Sequence, residues 1–304
     1  MSALHPQSPG EMKEIDSDFT SQGTRCAATL YLPEGEKPPV VVMAHGFAAE
    51  RSFRLPAFAR RFAGRGLAVL LFDYRNFGGS DGEPRNLVSP RRHLQDWAAA
   101  IAHARSLGVV DSERVALWGT SFSGGHVLVS AAKDNGVSAV VAQVPFVDGM
   151  AIARNCPREY LREGAAHALR DLVRAAGGMA PHYVPVVSEP GTFGLMNAPD
   201  SLAGYMALVP DGSTWENKAP ARIGLALPLY RPSRYAIRIK CPVLIVAAEK
   251  DSLIPLSSVA RTAKRIRDCK FIRLPVGHFD VYVGEEFERV VELEGGFLAE
   301  HLGL

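Results

Sequence analysis

Val115-Ala116-Leu117-Trp118-Gly119-Thr120-Ser121-Phe122-Ser123-Gly124-Gly125-His126 is the stretch around which the chain is organised. Val115 to Trp118 is a short apolar run that reads as a buried parallel strand. The run breaks at Gly119, and an Ala/Val/Leu-rich segment from about Val127 to Ala132 reads as a helix. A hydroxyl at such a strand-to-helix corner is carried on a tight, strained turn that lifts its oxygen above the carboxyl edge of the sheet. Backbone meets backbone there, so the positions two before and two after the nucleophile must be small; here they are Gly119 and Ser123. The usual pattern is G-x-S-x-G, and this chain reads G-T-S-F-S with Gly124 one place late. Ser121 follows the Gly119-Thr120 step directly, whereas Ser123 falls inside the helix, so Ser121 is the candidate nucleophile. The same letters also read as a Ser-rich helix cap, because Thr120, Ser121 and Ser123 are all good capping residues.

Working outward, strand-like runs at Cys26–Leu32, Val40–Ala44, Leu67–Phe72 and Ala139–Val144 alternate with amphipathic segments at Arg54–Arg65 and Ser89–Leu107. This alternation implies a parallel sheet with helices on both faces. The rhythm stops after Val144. Pro145 to about Tyr235 is rich in Gly, Pro and Met, with a helical piece at Arg158–Ala176, and reads as an inserted, largely helical cap. The core resumes with Cys241–Ala248, a helix from Ser257 to Arg267, a strand from Phe271 to Leu274 and a closing helix from Glu285 to His301. The expected organisation is a core of residues 1–145 and 236–304 around a cap of residues 146–235.

Composition restricts the partners. Across 304 residues, 47% are apolar and 22% charged, which suffices for a large core. The net charge is +2 with no long basic run, so neither nucleic acid nor an anionic membrane surface is an expected partner. Met1 to Phe19 carries no basic-then-apolar leader, Met1–Gly10 reads as a loose tail, and no apolar run could span a bilayer. The expected location is therefore the cytoplasm. Cys26, Cys156, Cys241 and Cys269 lack the spacing of a metal site or a disulfide framework, so no metal and no cofactor is implied.

A serine needs a base, and the base needs an acid to fix its tautomer. Of nine histidines, His45 belongs to the first loop, while His278 sits just past the strand ending at Leu274, in Pro275-Val276-Gly277-His278-Phe279-Asp280, at the same edge where the elbow opens. Asp251 lies just past the Val243–Ala248 run, with Glu249 as the nearest competing acid, and Asp280 is a possible partner of His278. Parallel strands deliver all three loops to one edge. The order Ser121, Asp251, His278, each after its own strand, resembles the α/β-hydrolases of the serine hydrolase kind. His45-Gly46-Phe47 is similar to that family's H-G-x loop, and Asp73 to Gly82 is similar to its D-x-R-G-x-G-x-S-x-G segment, with Asn76 and an added residue as departures.

The resemblance implies an α/β-hydrolase fold, with the backbone N–H groups of Phe47 and Phe122 as oxyanion hole. It also implies cleavage of a small-molecule carboxylic ester through an acyl-enzyme on Ser121, His278 and Asp251. Thioesterase, acyltransferase, peptidase and C–C hydrolase chemistry use the same triad, and a non-catalytic ligand-binding protein can keep the fold. His45 is expected to shape its loop, and Asp73 and Arg75 to form a structural ion pair or to fix their loop. Met150, Met179, Met196, Met206, Phe193, Tyr205 and Trp215 could line an acyl pocket, but each reads more simply as packing and is left out of the site.

Overall fold

A computed structural model of the protein describes residues 12–304; the tail reading of Met1–Gly10 lies outside them. Eight strands form the central sheet: β1 (Lys13–Asp16), β2 (Ala28–Leu32), β3 (Pro39–Ala44), β4 (Ala68–Phe72), β5 (Asp111–Thr120), β6 (Val137–Gln143), β7 (Val243–Ala248) and β8 (Cys269–Leu274). Their spatial order is β1-β2-β4-β3-β5-β6-β7-β8. β2 runs antiparallel to β1 and β4, and every other pairing is parallel. This is the mostly parallel α/β-hydrolase sheet that the resemblance implies.

Burial explains the strand sequences. Every residue of β3, β4 and β7 is buried, which requires both faces to be covered and allows Val/Leu/Ile runs without polar alternation. Helices supply the cover. α1 (Leu55–Ala63) buries Leu55, Phe58 and Phe62, and packs against the C-terminal helix Gly284–Leu302. α2 (Pro90–Ser106) packs against α3 (Phe122–Ala131). Ser89 caps α2, its hydroxyl accepting from the Arg92 N–H, and Pro90 occupies the first turn, where a missing N–H costs nothing.

One expectation needs correction. The helix after the elbow starts at Phe122, not near Val127. Gly124 and Gly125 weaken helix propensity in the sequence, but here they permit close packing. A Cβ on Gly124 would lie 2.9 Å from Pro145 Cα, and one on Gly125 2.9 Å from Pro232 Cγ. The edge strand β1 is not anticipated in the sequence: it is exposed along its whole length, and its edge position leaves no apolar alternation to read.

Between β6 and β7 the chain leaves the sheet for α4 (Gly149–Asn155), α5 (Arg158–Ala176), short helices at Ser201–Met206 and Ile223–Ala226, and the two-residue strands Tyr183–Val184 and Ala219–Pro220. α5 packs on Ile223–Ala226. The wholly buried Asp171 ties these pieces together: its carboxylate accepts from the His182 N–H at 2.8 Å and from Arg222 Nε at 2.6 Å. A buried carboxylate is tolerable only when so paired.

Candidate active site

Ser121 is the single residue linking β5 to α3. Its φ of 53° and ψ of −117° fall in a region that side chains avoid. The surroundings hold it there. Its N–H donates to the Gln143 carbonyl at 2.9 Å, and its own carbonyl accepts from the Phe146 N–H at 2.8 Å. Gly119 is compulsory: a Cβ would lie 2.7 Å from the Ser123 carbonyl carbon, 2.9 Å from Val127 Cγ1 and closer still to the Ser123 oxygen. The two serines separate cleanly. Ser121 is half-buried with its hydroxyl lining a cavity, whereas Ser123 is fully buried and bonded to the Tyr74 hydroxyl at 2.8 Å. That hydroxyl also accepts from Trp97 Nε1, so Ser123 belongs to a closed internal network.

The parallel register brings the loops together. Ala44 pairs with Gly119, Thr120 with Gln143, Gln143 with Val246, and Ala248 with Leu274, so the loops carrying His45, Ser121, Asp251 and His278 leave one edge. His278 Nε2 lies 3.0 Å from Ser121 Oγ, and His278 Nδ1 lies 2.8 Å from Asp251 Oδ2. The other Asp251 oxygen accepts from the Leu253 and Ile254 N–H groups at 2.9 and 2.8 Å. A carboxylate only accepts, so Nδ1 carries the proton and Nε2 is left to accept from the serine. The competing acids are engaged elsewhere: Glu249 faces Arg273 at 3.5 Å, and Asp280 accepts from the Gly277 N–H at 2.7 Å. Behind the elbow, the Tyr282 hydroxyl bonds Thr120 Oγ1, which also accepts from Gln143 Nε2 at 2.9 Å. The turn after His278 is thereby tied to the residue before Ser121.

Gly46 lies against Ser121; a Cβ there would sit 3.1 Å from Ser121 Cβ. His45 Nδ1 meets the Gly46 carbonyl at 3.1 Å, and because a carbonyl only accepts, Nδ1 is the protonated nitrogen. Burial holds the His45 pKa down, to about 3, so the ring is a neutral loop brace. The trans peptide then turns the Phe47 N–H away from His45. The next two carbonyls are held as well: Phe47 O accepts from the Tyr205 hydroxyl and Ala48 O from Trp215 Nε1, both at 2.9 Å. Phe47 and Phe122 line one cavity with Ser121, their rings edge-on at 5.3 Å. Phe122 is the first residue of α3, so its N–H has no partner within the helix.

Asp73 and Arg75 are structural but do not pair with each other. Asp73 accepts from the Arg51 N–H at 2.7 Å and faces Arg51 Nε at 3.3 Å, while Arg75 pairs with Asp96. Gly78, at φ 47°, allows the loop to fold onto Asp73, since a Cβ there would lie 2.6 Å from its carboxyl carbon.

Two small cavities meet at Ser121. One, of about 30 Å³, is bordered by His278, Tyr205, Phe279 and Met196; the other, of about 100 Å³, by Phe146, Ile152, Leu227 and Met196. Met196 and Tyr205 thus belong to the site although the sequence reading left them out. Met179 and Met206 are surface residues, 49% and 44% exposed. Nothing in composition separates the two pairs. Among the described residues, no group of three His, Cys, Asp or Glu gathers as metal ligands. The arrangement can deprotonate a hydroxyl beside a carbonyl held between apolar walls.

A model of the X-Pro dipeptidyl-peptidase (S15) family matches residues 22–173. The chain is 43% identical over 294 residues to the quorum-quenching protein AidA of Acinetobacter baumannii, covering 96% of this chain and 95% of that one. It is 28% identical over 298 residues to a thiohydrolase of Aspergillus aculeatus, covering 93% and 92%. Among solved structures, the α/β hydrolase GrgF of a Penicillium species superposes with a TM-score of 0.82 at 25% identity, over 96% of this chain and all of that one.

Proposed function

Since this chain belongs to the α/β-hydrolase superfamily, a hydrolase-type family of enzymes, we propose that it is a serine hydrolase cleaving carboxylic esters of small molecules. Ser121 Oγ attacks the carbonyl carbon as His278 Nε2 takes its proton. Asp251 holds the resulting imidazolium through Nδ1. The carbonyl oxygen becomes an oxyanion that accepts from the Phe47 and Phe122 N–H groups, with the start of α3 adding its dipole. His278 returns the proton to the leaving alkoxide, and water, deprotonated by the same nitrogen, releases the acyl group. The observation that carries this reading is the unbroken line of hydrogen bonds from Ser121 through His278 to Asp251, with the serine itself held at a strained φ of 53°.

Residues 146–235 act as a cap over the core formed by 1–145 and 236–304; Met196, Ile152 and Leu227 reach from it to the cavity walls. No helix among the described residues is long and apolar enough to cross a membrane, and the proposed location is the cytoplasm. The relative at 43% identity is a quorum-quenching protein, so among esters a quorum signal is the first substrate to screen. A thioester is the second reading, favoured by the thiohydrolase relative; matched oxygen esters and thioesters decide between them.

Intact-protein mass after exposure to a fluorophosphonate tests the nucleophile. One adduct on wild type and on Ser123→Ala, absent from Ser121→Ala, is the expected result. An adduct retained on Ser121→Ala, or hydrolysis at the wild-type rate in that variant, overturns the assignment.

A further inference from the structure

Three cavities lie along the line into the candidate site, and Met196 is the one described residue that borders all of them. The two small chambers flanking Ser121 share Phe47, Ser121 and Met196. Outside them lies a groove of about 590 Å³ whose wall carries Asn155, Glu159, Glu163 and Ser252. This groove shares Ile152, Leu195, Leu253 and Met196 with the larger chamber, and with the smaller chamber only Met196. Met196 is therefore the residue common to the boundary between the two chambers and to the boundary of each with the groove.

The main chain at this position is fixed. The Met196 N–H donates to the Val186 carbonyl at 2.9 Å, and its carbonyl accepts from the Ser188 N–H at 3.1 Å. Val186 and Val187 both donate to the Asn217 side chain at 3.0 Å. A pinned backbone bearing a side chain with three rotatable bonds is suited to partition space by rotamer alone. Asn217 belongs to the same segment, so the divider is built within 146–235 and not by the core.

On the reading that Ser121 is the nucleophile, we propose that Met196 sets the substrate class: esters whose acyl and alcohol parts are both compact and apolar at the carbonyl, longer chains being admitted only by displacing the Met196 side chain toward the polar groove. Chambers of about 100 and 30 Å³ hold short or branched groups. A long chain must cross the line that Met196 occupies.

The test is the ratio of kcat/KM for p-nitrophenyl octanoate to that for p-nitrophenyl acetate. Removing the divider in Met196→Ala should raise this ratio at least about tenfold, the discrimination that a few methylenes of apolar contact supply. Met196→Phe should lower it, and Met196→Leu should leave it near the wild-type value. Should Met196→Ala fail to fold, the opposite shift in Met196→Phe still decides. Ratios within twofold of wild type in the folded variants overturn the divider, provided wild type is labelled at Ser121 by a fluorophosphonate. A wild type that is neither labelled nor active on either ester overturns the nucleophile reading, and the divider falls with it.

Discussion

Replacing Ser121 by Gly and by Ala separates the strain of the elbow from its chemistry. Both substitutions remove the hydroxyl and its 3.0 Å bond to His278, so their difference in stability reports the backbone alone. At φ 53° and ψ −117° a residue with a Cβ is held in a sparsely populated region, at a cost of about 1–3 kcal/mol. Glycine escapes that cost but gains unfolded-state freedom worth roughly 0.5–1 kcal/mol. Glycine should therefore be the more stable by about 0.5–2 kcal/mol. For a chain of 304 residues this is a rise in Tm of about 1–3 °C. Urea denaturation of both variants with identical m-values would measure it. A Ser121→Gly protein less stable than Ser121→Ala would show that the surrounding hydrogen bonds do not hold a strained residue. Both variants are expected to be inactive.

Ser123→Ala should cost about 1–3 kcal/mol, because the buried Tyr74 hydroxyl loses one of its two partners, yet retain fluorophosphonate labelling; loss of labelling would place Ser123 in the chemistry. Gly119→Ala forces a Cβ to within 2.7 Å of the Ser123 carbonyl carbon and should cost about 1–3 kcal/mol together with most of the activity; a stable, fully active variant would mean that the elbow can yield. Glu294 is wholly buried, and burial pushes its pKa up to about 8, opposed by the 2.8 Å bond from Trp118 Nε1. Between the usual 4.5 and about 8 the unfolded chain releases a proton that the folded one keeps, so this carboxyl lowers stability as pH rises through the window. Denaturation of Glu294→Gln and wild type from pH 5 to 8 should show the gap moving toward the variant by roughly 2–4 kcal/mol; a constant gap would mean that Glu294 is not protonated in the fold.

The long apolar strands and the three loops behind them were legible because parallel pairing buries whole runs and sends every loop to one edge. β7 and β8 thereby marked the loops that carry Asp251 and His278, as β5 marked that of Ser121, while the choice of Asp251 over Glu249 rested on the family resemblance. The start of α3 was hidden, since Gly124 and Gly125 look like helix breakers until Pro145 and Pro232 are seen against them. The exposed edge strand β1 was hidden for the opposite reason: with no buried face it carries no pattern.

What the sequence determined by itself was local and periodic: which runs become sheet and which loops follow them. It also determined that a serine, an acid and a histidine occur in an order one fold can gather. The sequence already favoured Ser121 over Ser123 by its place on the turn; the tertiary structure adds the difference in burial, with Ser121 on a cavity wall and Ser123 closed inside a network with Tyr74 and Trp97. Only the tertiary structure separated Met196 and Tyr205 from the exposed Met179 and Met206. Cavity walls are drawn from residues distant in the chain, and their apolar character is that of ordinary packing, so nothing in the order of letters marks them.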